Sequence, residues 1–211
     1  DEARAQARLG RSLLGSFALH GYELVTLPIF EYASVLERGL GSLAEDEVLR
    51  FIEPETGRVV ALRPDMTTQI ARLLSARFAD APGPARLCYQ GSVLRRRRER
   101  ARRERQIPQA GVELVGLAGL EGDPEVLRVA GAAARAAGLD DFALDLGHAG
   151  IAGALLEGVA EPAQAAIVEA LGVRDVSEVT RRAERFGVRG APLAALGALS
   201  SLHGGESVWP L

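Results

Sequence analysis

The sequence contains no lysine: all 25 of its basic residues are arginine. We interpret this uniform choice as a sign of a GC-rich genome, so it does not by itself indicate guanidinium chemistry. The formal net charge is -3, which argues against a general binder of polyanions, because such domains usually carry an excess of basic residues. Any basic surface of this protein must therefore be local.

Cysteine is nearly absent as well, since Cys88 is the only one. A single cysteine excludes an internal disulfide and a cysteine-rich metal site, and it fits a reducing compartment, so we expect a cytoplasmic protein. No apolar run is long enough to cross a bilayer, and the charged first residues do not resemble a signal peptide. We therefore expect no membrane association.

Motifs for metals and phosphates are missing too. The three histidines, His20, His148 and His203, have no second histidine, cysteine or paired carboxylate at metal-ligand spacing. We interpret His148 as a helix cap or a buried hydrogen-bonding residue. No glycine-rich phosphate loop or nucleophile elbow occurs. The sequence therefore predicts neither a metal nor a cofactor.

Hydrophobic residues make up 47% of the 211 positions, enough to bury a core. Apolar residues at helical spacing predict a helix over residues 3–19, which Gly21 ends. The run YELVTLPIF predicts a strand that Pro28 ends, with a helix or loop over residues 30–40. VLRFIEP and RVVALRP predict an antiparallel hairpin, and a helix with one apolar face follows over residues 70–78.

The second half of the chain begins with two predicted antiparallel strands, ARLCYQGSVL and QAGVELVGL, which a long basic segment joins. A helix from about Pro124 to Ala137 and a strand, DFALDLG, come next. Residues 148–203 are rich in alanine, leucine and glycine in short helical periods. We therefore expect two domains: an α+β core over residues 1–147 and a helical lobe over residues 148–211.

The long basic segment places eight arginines within residues 95–105. Because close guanidinium groups repel each other, most of these side chains should be solvated until an anion arrives. A nucleic acid, a nucleotide phosphate and an anionic metabolite are the alternatives to simple solvation. RNA binding would gain from interleaved aromatic residues, and none follows Tyr89 in this segment. Arg95 leaves the end of a strand, where its backbone is held, and is the candidate for a defined ligand contact.

Polar residues at strand positions form a second pattern. In QAGVELVG, Gln109 and Glu113 share one face of a strand, and apolar residues share the other. An amide and a carboxylate suit a small ligand with an amino or imidazole group, and an ordinary exposed sheet face is the alternative. Asp65 and Thr67 lie at another strand end and could converge on the same face. Asp65 has the alternative role of capping the next helix.

In their order along the chain, ALRPDMTTQIAR, YQGSVLRRRRERARRERQIPQAGVELVG and DFALDLGHAGIAGALLEG resemble the catalytic core of class II histidyl-tRNA synthetases. The chain is still more similar to their paralogue, the regulatory subunit of ATP phosphoribosyltransferase in histidine biosynthesis. RPDMT and LDLGHAGI are typical of that branch. The resemblance implies an α+β fold of the class II aminoacyl-tRNA synthetase type, with an antiparallel sheet flanked by helices and an added helical lobe.

The resemblance also implies a site for a histidine-like ligand. Five side chains of this sequence match the family's ligand contacts: Asp65, Thr67, Arg95, Gln109 and Glu113. Arg105 is expected to close over the ligand from the returning arm of the basic segment.

By the same resemblance, we expect a regulator without catalytic residues. The synthetases carry a glutamate that helps to place ATP two positions after the strand-end arginine, and this chain has Arg97 there. The chain also stops before the last motifs of the family's catalytic core, so that core is expected to be incomplete. The alternatives are a histidyl-tRNA synthetase fragment that forms histidyl-adenylate and an RNA-binding domain.

The expected partner is the short-form catalytic subunit of ATP phosphoribosyltransferase. The chain would form a homodimer within a larger hetero-oligomer and take part in feedback control by histidine. Control of this kind requires the ligand to prefer one assembly state over another. A specific nucleic-acid partner is not expected.

Overall fold

In the computed structural model, the described residues form one unit of helices and strands and one unit of helices alone. The first unit comprises residues Asp1–Ala143, and the second comprises Leu144–Leu211. The division drawn from the sequence, after residue 147, lies slightly further along the chain. The structure describes residues 1–37, 48–77, 83–95, 106–117 and 119–201.

Helix α1 (Glu2–Leu19) opens the first unit, and the helix predicted over residues 3–19 is confirmed. Gly21 follows it with a φ of +80°, a conformation that glycine adopts without strain. The turn carries the chain into the short strand β1 (Glu23–Leu24). No helix of the described residues has the length and apolar character that spanning a membrane requires.

The larger hairpin of the first unit consists of β5 (Ala85–Leu94) and β6 (Gln106–Val115). These strands pair antiparallel from Ala85↔Val115 to Leu94↔Gln106, and β1 pairs parallel with β5, so the order is β1-β5-β6. The two predicted antiparallel strands are confirmed. β6 begins before the predicted Gln109 and includes Pro108, which an edge strand tolerates because its outer side has no ladder bond to lose.

A smaller sheet has the order β2-β4-β3, with β2 at Phe30–Tyr32, β3 at Arg50–Ile52 and β4 at Val59–Leu62. The predicted hairpin of β3 and β4 is confirmed. The prediction of one strand ending at Pro28, followed by a helix or loop, is wrong for β2, because the chain re-enters a strand at Phe30. Pro28 has no N–H to donate and interrupts the extended run, as predicted, but a new strand begins two residues later.

The described residues of the first unit form three further helices: α2 (Ala33–Glu37), α3 (Thr67–Arg77) and α4 (Gly122–Ala136). On one face of the larger sheet, Leu87 and Tyr89 pack with Ile70 of α3. On the other face, Cys88 packs with Phe17 of α1 and Val129 of α4. The sheet therefore has helices on both faces, as predicted. The predicted helix from about Pro124 to Ala137 corresponds to α4, and the one over residues 70–78 corresponds to α3.

The predicted strand DFALDLG is wrong. Residues 142–148 lie in no helix or strand, and the side chains of Leu144 and Leu146 are exposed. A strand needs a neighbour to bond its backbone groups. None of the described strands pairs with this segment, so its alternating pattern has no ladder to join.

The second unit contains α5 (Ala149–Leu155), α6 (Glu161–Gly172), α7 (Val176–Arg185) and α8 (Gly190–Ser201). His148 precedes α5, and its Nδ1 accepts a hydrogen bond from the Gly150 N–H at 3.1 Å, which confirms the predicted cap. Leu156, the residue after α5, packs in one core with buried side chains of α6, α7 and α8, including Ile167, Val179 and Leu196.

Candidate functional site

The five predicted ligand contacts come from three places in the first unit. Asp65 lies just after β4, and Thr67 is the first residue of α3. Arg95 follows the last residue of β5. Gln109 and Glu113 lie four residues apart on β6, so both side chains extend from the same face of that strand. The structure brings these five residues together.

Thr67 links the two carboxylates. Its backbone N–H donates to Asp65 Oδ1 at 2.7 Å, and its hydroxyl Oγ1 donates to Glu113 Oε1 at 2.7 Å. Asp65 therefore caps the first turn of α3, which was one of its two predicted positions. Its side chain also faces β6, which was the other. Asp65 and Glu113 lie on the same side of the sheet, one on each side of Thr67.

Gln109 reaches Asp65 with one end of its amide and leaves the other end free of described partners. Nε2 donates to Asp65 Oδ2 at 3.4 Å, a long hydrogen bond. Oε1 is buried and accepts no hydrogen bond from any residue that the structure describes. A buried acceptor without a donor is unfavourable, so this oxygen suits a ligand that brings an N–H group.

Arg95 lies at the base of the basic segment, beside Asp65. Its Nε donates to the backbone carbonyl of Pro64 at 2.9 Å, and its Nη2 is 3.8 Å from Asp65 Oδ2. The first contact fixes the guanidinium, and the second is an ion pair without a close hydrogen bond. The remaining N–H groups of Arg95 can therefore donate to an anionic group of a ligand.

The surroundings of Glu113 disfavour the charged form of its carboxyl group. Burial raises its pKa, the hydroxyl of Thr67 lowers it, and the negative charge of Asp65 raises it again, for a net increase. Two acceptor-rich carboxylates beside one guanidinium favour a ligand with at least one cationic or N–H-bearing group.

Tyr89 is a site residue that the sequence reasoning missed. It lies on β5 with its side chain buried, and burial together with the charge of Glu113 raises its pKa to about 12. The nearby hydroxyl of Thr67 lowers this pKa in part. Gly111 is its partner across the hairpin, and a Cβ there would lie 2.5 Å from the phenol oxygen. The sequence signal for this residue is a tyrosine paired with a glycine across the hairpin. It can be recognised only once the register of β5 and β6 is known.

Arg105 and the rest of residues 96–105 lie outside the described residues. The predicted closure of Arg105 over a ligand stays a prediction, as does the ligand-binding role of the five side chains. Among the described residues, no group of three or more histidine, cysteine or acidic side chains could hold a metal ion.

The solved structures that share this fold include the following two. A crystal structure of an ATP phosphoribosyltransferase regulatory subunit/histidyl-tRNA synthetase from Bacillus halodurans matches 98% of this chain and 53% of that one, with a TM-score of 0.86 and 26% identity. A histidine-tRNA ligase subunit from Alicyclobacillus acidocaldarius matches 92% of this chain and 56% of that one, with a TM-score of 0.73 and 28% identity.

The fold, with polar side chains gathered at the ends of β4 and β5, is the α+β core of the class II aminoacyl-tRNA synthetase type, and this prediction is confirmed. The family model described as histidyl-tRNA synthetase matches residues 1–209. The chain belongs to this family.

Curated proteins named ATP phosphoribosyltransferase regulatory subunit are similar to nearly the whole chain. One from Symbiobacterium thermophilum is 42% identical over 205 residues, which cover 96% of this chain and 51% of that protein. One from an Anaeromyxobacter species is 42% identical over 206 residues, which cover 97% of this chain and 60% of that protein. The chain thus spans just over half the length of these relatives, and the predicted resemblance to the regulatory branch is confirmed.

Proposed function

We propose that the chain functions as a regulatory subunit of ATP phosphoribosyltransferase in histidine biosynthesis. The observation that carries this proposal is the 42% identity to regulatory subunits over almost the entire chain. The chain would support a short catalytic subunit and contribute to its feedback control. Its place of action would be the cytoplasm, with residues 1–147 as the synthetase-like core and residues 148–211 as the helical lobe.

The proposed ligand of the candidate site is histidine. Asp65 and Glu113 supply carboxylates for the α-ammonium and the imidazole, and the buried Gln109 Oε1 supplies a further acceptor. The N–H groups of Arg95 that bond to no described residue supply donors for the α-carboxylate. This set of donors and acceptors complements a zwitterion that carries an additional ring N–H.

The proposed regulator has no catalysis of its own. Adenylate formation requires groups that hold a triphosphate and stabilise charge as it moves in the transition state. Where the synthetases carry an ATP-placing glutamate, this chain has Arg97, which reverses the charge at that position. The histidine site would then serve to sense the amino acid, and histidine would act by preferring one assembly state.

The proposed assembly is a homodimer of this chain within a hetero-oligomer that contains the short catalytic subunit. The test is co-purification of the chain with a candidate short catalytic subunit, with phosphoribosyl transfer measured in its presence and absence. Stimulated transfer that histidine then inhibits is the expected result. Failure to stimulate any short catalytic subunit from a matching genome would overturn the proposal.

The synthetase alternative is favoured by the histidine-tRNA ligase name of a solved relative and by the name of the matching family model. Pyrophosphate exchange with histidine and ATP separates the two functions, because only an adenylate-forming protein supports it. We expect no exchange above background, and robust exchange would replace the regulator with an enzyme. RNA binding that falls uniformly with salt is expected from the arginines alone, so only preference for one RNA favours an RNA-binding function.

A further inference from the structure

Arg63 is the most deeply buried arginine among the described residues, with 7% of its surface exposed. It directly follows β4, two residues before Asp65. Its surroundings are backbone carbonyls rather than a carboxylate, since no described acidic group forms an ion pair with it. Burial lowers the pKa of its guanidinium, as expected for a cation removed from water. A cation held in this way needs a structural reason.

The backbone of Arg63 joins the smaller sheet to the larger one. Its N–H donates to the carbonyl of Ile29 at 3.0 Å, and its carbonyl accepts from the N–H of Leu94 at 2.9 Å. Ile29 precedes β2, and Leu94 is the last residue of β5. β1 covers β5 only at Leu87 and Cys88, so Arg63 takes up the outer edge of β5 beyond the reach of β1.

The side chain of Arg63 extends the same junction. Nε donates to the carbonyl of Ser92 at 2.8 Å, and Nη1 donates to the carbonyls of Leu27 at 2.7 Å and Pro28 at 3.2 Å. Pro28 breaks the strand, and no described backbone N–H donates to these two carbonyls, although that of Pro28 also accepts from Gln69 Nε2 at 2.9 Å. A planar guanidinium can serve three acceptors at once, and bonds from a charged donor are stronger than neutral ones. A lysine has a single ammonium group and could not reproduce this planar arrangement of N–H donors.

Glycine at position 91 makes room for this arrangement. A Cβ at Gly91 would lie 2.6 Å from Arg63 Nη2 and 2.9 Å from Met66 Cε, both closer than side-chain atoms approach. Gly91→Ala, a substitution on β5, would therefore displace the guanidinium of Arg63 and leave residue 63 itself unchanged.

The junction has a direct consequence for Asp65. The carbonyl of Arg63 is held by Leu94, and the carbonyl of Pro64 is held by Arg95 Nε. Both peptide groups before Asp65 are thus tied to the end of β5. We infer that Arg63 is a positioning residue that fixes Asp65 against Thr67 and Glu113 by joining β4 to the edge of β5. The expected effect of Arg63 on ligand affinity rests on the proposed function. Its expected effect on the position of Asp65 in the ligand-free chain does not.

The experiment uses Arg63→Lys and Gly91→Ala, with Arg86→Lys as the matched control. Arg86 donates two hydrogen bonds to Glu125 on the other face of the sheet, so its replacement also removes an anchored fork. The first readout is the titration of the Glu113 carboxyl in the ligand-free chain, followed by carbon-13 NMR. Asp65, Thr67 and Tyr89 are the groups that face Glu113, and the first two influence its pKa. The second readout is histidine affinity by calorimetry.

We expect Arg63→Lys and Gly91→Ala to move the Glu113 titration and to weaken histidine binding about tenfold, which is the loss of one charge-assisted hydrogen bond. Arg86→Lys should leave both unchanged. An unmoved Glu113 titration in a folded Arg63→Lys or Gly91→Ala chain would overturn the inference, and so would an equal shift in Arg86→Lys. If Arg63→Lys does not fold, Gly91→Ala decides. If the wild-type chain binds no histidine while the titration shifts as expected, the proposed function fails and the positioning role stands.

Discussion

The two faces of the sheet β1-β5-β6 each carry a carboxylate, and the surroundings of these two carboxylates have opposite effects on their charge. On the face toward α4, Glu125 accepts from Arg86 Nε and Nη2, both at 2.7 Å, and from the hydroxyl of Tyr22 at 3.1 Å. On the face toward α3, Glu113 accepts from one neutral hydroxyl and lies near a second carboxylate. The pKa of Glu125 is lowered, mainly by Arg86, whereas that of Glu113 is raised, mainly by burial.

This difference indicates that the two faces have separate tasks. A carboxylate whose charge is matched by a bidentate guanidinium holds α4 on the sheet and needs nothing more. A carboxylate whose charge is not matched within the protein has an interaction left to make, and a cationic ligand would supply it. Polar groups at binding sites are expected to be less well satisfied than those that hold a fold together.

The largest expected effect separates the two faces by ligand affinity. Glu113→Gln should weaken histidine binding about 10- to 100-fold, because it removes a charged acceptor while preserving the shape of the side chain. Glu125→Gln, the matched control on the other face, should leave the affinity unchanged. Calorimetric titration of both variants measures this. Equal losses in the two variants would mean that the face toward α3 has no special part in binding.

The second prediction reverses the comparison and concerns stability. Glu125→Gln should lower the melting temperature, since it leaves the Arg86 guanidinium without its counter-charge. Glu113→Gln should leave the melting temperature unchanged or raise it at neutral pH, because it removes a charge that burial disfavours. Differential scanning calorimetry of the two chains without ligand tests this. A larger loss of stability for Glu113→Gln than for Glu125→Gln would contradict the assignment of tasks to the faces.

The pH dependence of these differences should have opposite signs. The pKa of Glu125 is lowered by folding, so the stability that it contributes is present above the ordinary carboxyl pKa and is lost as the pH falls through the lowered value. The pKa of Glu113 is raised, so its contribution is present below the ordinary carboxyl pKa and is lost as the pH rises through the raised value.

Melting curves from acidic to neutral pH therefore provide the third test. The stability gap between the wild type and Glu125→Gln should widen as the pH rises from the acidic range. Glu113→Gln should become more stable than the wild type only as the pH rises. Its stability difference from the wild type therefore has the opposite sign to that of Glu125→Gln. Parallel pH curves for the two variants would show that the two carboxylates do not differ in the way described.

The sequence predicts the face toward α3 better than the face toward α4. A period-two pattern assigns Gln109 and Glu113 to one side of β6 without knowledge of any partner, because strand geometry alone requires it. Asp65 and Thr67 are found at a strand end for a similarly local reason. The pair of Arg86 and Glu125 joins residues far apart in sequence, on elements whose packing no local pattern specifies, and so it was not predicted.

The same distinction explains the strands that were predicted wrongly. Hairpins such as β3-β4 contain both partners and the turn within a short segment, so their pattern is self-contained. DFALDLG has the alternation of a strand, but a strand depends on a neighbour that the pattern does not name. Arg63 shows the reverse case, since a single side chain provides a junction that sequence patterns assign to no element.

The smallest expected effect compares two tyrosines, one on each face, whose pKa values burial raises to about 12. Tyr22→Phe removes the hydroxyl that donates to Glu125, so it should lower the stability by about 1 kcal/mol and leave histidine affinity unchanged. Tyr89→Phe removes a phenol that lies near Thr67 and Glu113, but Thr67 keeps its own hydrogen bond to Glu113. Histidine affinity should therefore fall only about two- to threefold, which is well below one typical hydrogen bond. Calorimetry and thermal melts of both variants measure the two effects, and a loss of affinity in Tyr22→Phe as large as in Tyr89→Phe would show that the two faces are coupled through the sheet.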